Sequence, residues 1–248
     1  MQNNKDGKKK KNGVIIALWI ILGSLLVAII AFLGCREMNG RKASDAAQSL
    51  LDMITGDAVK TETVDIDFAD QAGEEYHVED ESNDEALLTD DLYRQPDAPV
   101  YTDEELDELI SSIANKTDGN GVIGIIRIPS QDIKLPVIGG WSDALLKVSV
   151  CRYQGNNVNQ PGHMVIIGHN YKNGAHFGKL KNLKVGDEVF LSDVQGFEKR
   201  YVVYETEVVK PNDFSALEKF RGECGLSLMT CYQDGTNRLF VRCEQVDK

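Results

Sequence analysis

The C-terminal half of this chain predicts an all-β domain with short helices, preceded by a transmembrane helix and an acidic stalk. Three observations carry that reading. Eight short apolar runs, bounded by Gly, Pro and Asn/Asp clusters, crowd residues 122–243. Residues 14–33 form a stretch of twenty without a charge. Between residues 57 and 108 there are 20 acidic residues against only Lys60 and Arg94.

The uncharged stretch comes first. Its sequence, VIIALWIILGSLLVAIIAFL, matches the roughly 20 apolar residues a helix needs to cross a bilayer core. Lys5, Lys8, Lys9, Lys10 and Lys11 precede it, and Arg36, Arg41 and Lys42 follow it. The denser positive flank favours a cytoplasmic tail at 1–13, a membrane anchor at 14–34 and an exported remainder. Two other readings compete: a cleaved signal peptide, and a lipoprotein signal ending at Phe32-Leu33-Gly34-Cys35. The run is long for a signal core and no Ala-x-Ala site follows it.

Residues 35–100 read as an extended stalk. The formal net charge of −12 is unevenly distributed. Residues 57–108 carry a net −18, whereas residues 119–248 carry 16 basic and 14 acidic side chains. The acidic segment lacks long apolar runs, so it cannot bury enough surface to offset chain entropy, and its charges repel. From residue 101 the pattern changes to a folded domain. Thr102-Asp103-Glu104-Glu105 before Leu106, Leu109, Ile110 and Ile113 has the form of a capped amphipathic helix. Nucleic-acid binding is disfavoured, because the basic residues cluster only beside the apolar run.

Strands are expected at 122–128, 133–138, near 147–150, and at 164–167, 188–191, 201–209, 226–230 and 239–243. Short helical turns are expected near 177–183 and 214–220. Eight short strands in a domain of this length imply a closed barrel or a sandwich, and periodicity does not choose between them.

The chemistry concentrates near the end. Leu226-Ser227-Leu228-Met229-Thr230-Cys231 is an apolar strand that delivers a thiol to its tip. Arg238 opens the next run seven residues later, across a polar turn. Paired as a hairpin, the two strands set a permanent cation beside the thiol and favour its nucleophilic thiolate form. A proton carrier is needed, and His169 follows the apolar run 164–167 in the same strand-end arrangement. Its rivals are His77 in the stalk, His163 at the opposite end of the strand, and His176 in the next loop. Arg242 shares a strand face with Arg238 but lies roughly 13 Å farther along.

His169, Cys231 and Arg238, in that order, resemble the sortases, the cysteine transpeptidases of Gram-positive cell surfaces. Ser227-Leu228-Met229-Thr230-Cys231 is similar to the family's Thr-Leu-x-Thr-Cys. Arg238-Leu239-Phe240-Val241 is similar to its Arg-bearing strand, and Ile126-Arg127-Ile128-Pro129 with Leu135-Pro136-Val137 to its first two. The resemblance implies a closed eight-stranded barrel over about half the chain, with Cys231 as nucleophile, His169 as acid and base, and Arg238 as oxyanion donor. Thr230, Asn170 and His176 are then expected in substrate binding. The implied substrates are exported proteins with a Leu-Pro-x-Thr-Gly-like motif, cleaved at Thr-Gly and joined to a cell-wall precursor amine. The loop 210–225 resembles class A and related enzymes, Gly168-His169-Asn170 resembles class B, and a pilus-polymerising subclass is disfavoured. No cofactor and no metal are expected, and calcium activation stays open.

Two other readings stand. A hydrolytic cysteine peptidase of papain type places Cys before His in the chain and adds an orienting Asn or Asp. A non-enzymatic surface-binding module would not need Cys231. The five cysteines show no C-x-x-C pairing. A disulfide among Cys151, Cys224 and Cys243 is conceivable, although Cys151 and Cys243 fit better as small buried hydrophobes.

Overall fold

The computed structural model describes residues 3–57, 102–116, 119–233 and 235–246. It has three α-helices, α1 (Asn3–Asp57), α2 (Asp103–Ala114) and α3 (Asp143–Val148). Eight strands follow α2: β1 (Val122–Ile128), β2 (Ile133–Ile138), β3 (Val150–Gly155), β4 (Gly162–Ile167), β5 (Glu188–Asp193), β6 (Glu198–Val209), β7 (Cys224–Tyr232) and β8 (Asn237–Gln245). They close into a barrel in the order β1-β2-β3-β4-β7-β8-β6-β5. Closure was the choice that strand periodicity left open, and it removes every sheet edge.

Both faces of the central strands are buried, which is why they read as unbroken apolar runs. In β4, Met164 and Ile166 point into the barrel core with Ile126, Val137, Leu228 and Val241. Val165 and Ile167 point outward, under Leu50 of α1, Ile110 and Ile113 of α2 and Leu146 of α3. In β7 the same alternation sends Leu226 and Leu228 inward and Met229 outward.

The helices follow from local chemistry. The side chain of Thr102 accepts from the Glu105 amide while Glu105 returns to the Thr102 amide, the reciprocal cap expected of this sequence. Ser142 caps α3 through the Leu145 amide. Residues near 147 were expected in a strand, but Lys147 lies in the last turn of α3, which ends at Val148, and the strand begins at Val150. The Ser142 cap and the apolar pair Leu146/Val148 outweigh the short β-like run. The two expected helical turns are short 3-10 turns at Leu180–Asn182 and Phe214–Leu217.

The largest correction concerns the stalk. Residues 35–57, expected to be extended, continue α1 as helix. Ala43, Ala46, Ala47, Leu50 and Leu51 are at most 4% exposed. This stripe, at helical spacing, packs on the domain, and Lys42 reaches Asp103 at the start of α2 at 2.6 Å. Burial of that stripe is what acidic composition alone missed. The rest of the expected stalk, residues 58–100 with His77, lies outside the described residues. The side chains Trp19 to Leu33 of α1 are exposed all round, with large apolar residues 46–69% accessible. Among the described residues this one helix is long and apolar enough to cross a membrane.

Candidate active site

The site lies where three adjacent strands end. β4 pairs with β7 in parallel, with Ile167 opposite Met229, so the residues following each strand travel together. β7 pairs with β8 as the expected hairpin, and Cys231 stands directly opposite Arg238. Side-chain parity then decides what faces what. Met229 and Ile167 point outward beneath the helices, and Cys231 and His169 are two residues further along the same faces. Arg238 shares the outward face of β8 with Phe240. Thiol, imidazole and guanidinium thus emerge on one side of the barrel.

Short polar contacts fix this end. The Gly168 amide donates to the Met229 carbonyl at 3.2 Å. The hydroxyl of Thr230, 2% exposed, donates to the Gly168 carbonyl at 2.7 Å. Asn170 donates from Nδ2 to the Cys231 carbonyl at 2.8 Å. Two residues expected in substrate binding therefore tie the histidine loop to the cysteine strand. The Thr230 position is a correction: its inward parity buries the hydroxyl instead of presenting it beside the thiol.

His176 is a second correction. It was expected to line a substrate groove, but it is 2% exposed, and its Nε2 donates to the Ala43 carbonyl of α1 at 3.1 Å. The docked helix, absent from the sequence-based picture, covers it. Sequence reasoning also missed Tyr171, whose ring stands edge-on to His169 at 5.3 Å and to His176 at 5.2 Å. An aromatic between two histidines was the only available signal.

Burial dominates the electrostatics. It pushes the Cys231 thiol up to about 11, opposed by the Arg238 charge. It pulls His169 down to about 4; Asp143 of α3 works against that shift and Lys147 adds to it. Burial thus disfavours both the thiolate and the imidazolium, so attack by sulfur requires the thiol proton to pass to a base. Arg238, 3% exposed, is aimed by its own turn: Nη1 donates to the carbonyls of Gly235 at 2.8 Å and Asn237 at 3.0 Å. Arg242 does different work. Fully buried, it donates to Glu207 at 2.8 Å and to the Lys219 carbonyl at 2.7 Å, holding β6 and the following loop to β8.

The other candidates fall away from this end. His163 stacks on Phe220 and shares a hydrogen bond with Ser227 Oγ at 2.8 Å. Cys151, Cys224 and Cys243 are free, buried thiols, so no disulfide joins them. Among the described residues no cluster of His, Cys, Asp and Glu could hold a metal ion.

The fold is thus a closed barrel of mixed antiparallel and parallel strands, with a thiol, an imidazole and a guanidinium gathered at one end. Residues 126–246, just under half of the chain, match the sortase domain. It is 31% identical over 136 residues to sortase A of Bacillus anthracis, covering 53% of this chain and 64% of that one. It is 26% identical over 133 residues to sortase A of Listeria monocytogenes, covering 53% and 59%. The chain thus spans about six tenths of the length of these curated relatives. Among solved structures it is similar to sortase A from Corynebacterium diphtheriae, at 29% identity and TM-score 0.49, covering 61% of this chain and 72% of that one. It is also similar to sortase C-1 from Actinomyces oris, at 28% identity and TM-score 0.48, covering 57% and 83%.

Proposed function

We propose that this protein is a membrane-anchored cysteine transpeptidase that cuts exported proteins at a Leu-Pro-x-Thr-Gly-like motif and joins them to a cell-wall amine. The observation that carries this reading is the cross-strand pairing of Cys231 with Arg238, beside the strand end that bears His169.

Cys231 Sγ attacks the Thr carbonyl carbon while His169 takes the thiol proton. Arg238 meets the oxygen as negative charge develops on it, where a fixed donor gains most. His169 then gives its proton to the departing Gly amine, leaving a thioester on Cys231. An amine acceptor attacks that thioester, His169 removes the amine proton, and the thiol is released. Thr230 and Asn170 act by holding the His169 loop against β7. The apolar part of α1 spans the membrane with its lysine-rich end in the cytoplasm, and the barrel faces outward.

The test uses the full-length protein in detergent with labelled peptides bearing varied sorting motifs, with and without an amine acceptor. A thioester adduct on Cys231 and acceptor-dependent ligation support the reading. Hydrolysis indifferent to acceptor would favour a peptidase, and equal peptide binding by Cys231→Ala without any adduct would favour a binding module.

A further inference from the structure

Helix α1 does more than lie against the barrel; it touches the loop that carries the catalytic imidazole. That loop is a small closed unit. The Phe177 amide donates to the His169 carbonyl at 3.0 Å, Asn170 bridges His176, and the Gly174 amide donates to the Tyr171 carbonyl at 3.0 Å. His176 sits in it with φ of 48°, in the left-handed region that few residues other than glycine occupy. Its buried imidazole is anchored on the Ala43 carbonyl of α1 beside the carbonyls of Leu146 and Val148. Tyr171 fills the space between this ring and His169, edge-on to both. Close approach of α1 is permitted by Gly40, where a Cβ would overlap the side chain of Asn173 in the same loop.

We propose that His176 is a positioning residue which, through Tyr171, couples the membrane-anchor helix to the orientation and hydration of His169. The contact runs from the Ala43 carbonyl to His176, from its ring to Tyr171, and from Tyr171 to the catalytic ring. It supplies one wall beside the half-buried His169. The other groups acting on that imidazole are Asp143 and Lys147 of α3 and His176 itself, and the Cys231–Arg238 pair lies on the neighbouring strands. Because His176 also acts on His169 through charge, Tyr171→Leu and Gly40→Leu, which leave all of these groups in place, are the variants that report on the coupling itself. The proposal rests on His169 serving as the acid and base of the reaction proposed above.

The experiment measures His169 directly and does not depend on turnover. Full-length protein labelled at the histidine Cε1 is titrated by NMR, as wild type, His176→Ala, Tyr171→Leu and Gly40→Leu. Loosening the loop lets more water reach the half-buried His169, so its apparent pKa should rise toward the ordinary imidazole value in all three variants. In parallel, kcat for peptide ligation should fall about 10- to 100-fold with KM little changed, the scale of a small misplacement of a reacting group. The double variant His176→Ala/Tyr171→Leu should lose no more than the worse single one, because one contact path is cut either way. Gly40→Leu guards against a folding artefact, since leucine favours helix and leaves the barrel sequence intact. Variants that lower Tm but leave the His169 titration unmoved would make His176 a merely structural residue and overturn the proposal. If the wild type ligates no peptide while the titration still shifts, the coupling stands and the transpeptidase reading fails.

Discussion

Replacing Arg238 by lysine keeps the positive charge beside Cys231 but removes the planar fork that holds an oxyanion at two points. The guanidinium is aimed by its own turn, through Nη1 to the Gly235 and Asn237 carbonyls, so the group is preorganised before substrate arrives. Loss of one oxyanion donor typically costs about 10² to 10³ in rate, or about 3 to 4 kcal/mol, and Arg238→Lys should fall at or beyond that range. Arg242→Lys is the matched control, four residues along the same strand face. Its guanidinium bridges Glu207 and the Lys219 carbonyl in a fully buried setting, and lysine cannot keep both contacts. A lost hydrogen bond to a buried charged group costs about 1.5 to 3 kcal/mol, so Arg242→Lys should lower Tm by several degrees. Its kcat, measured well below that Tm, should stay within a few-fold of wild type. The assay is peptide ligation followed by chromatography, with thermal unfolding of each variant alongside. Equal kcat losses in both variants at a temperature where both are folded, or a greater loss in Arg242→Lys, would refute this division of labour.

Cys231→Ala should abolish turnover without loss of Tm. Cys151→Ala and Cys243→Ala should retain turnover but each lose about 1 to 3 kcal/mol in denaturant titration, because these thiols are core hydrophobes kept protonated by burial. Acid should destabilise the fold through its histidines with lowered pKa, the fully buried His176 among them: it is held at about 4, against 6.5 when exposed, so the unfolded chain binds the extra proton between those values. Its contribution is complete above pH 6.5 and is lost as pH falls toward 4, about 3 kcal/mol in all, and His176→Gln should flatten the slope of stability against pH in that window by about one proton. Protease added outside intact protoplasts should remove the barrel domain and leave an N-terminal fragment in the membrane; a mature protein starting at a lipidated Cys35 would contradict the anchor.

The sequence alone determined whatever is written in short-range chemistry. The Thr102–Glu105 cap, the uncharged run in α1, the strand pattern and the Cys231/Arg238 hairpin all depend on neighbours within a few residues, so they are legible as spacing. Strand alternation likewise tells which side chains share a face once the strands are known. Tertiary structure decided the rest, because the partners are distant in the chain. Barrel closure depends on β1 pairing with β5, and the meeting of His169 with Cys231 depends on the parallel pairing of β4 with β7. The docking of α1 was hidden for a related reason: five small or branched apolar residues among charged ones look like a solvated stalk until a complementary surface exists to bury them. That same surface holds His176, while inward parity in β7 turns Thr230 toward the Gly168 carbonyl; a buried polar group takes the nearest partner, and sequence does not say which partner is near.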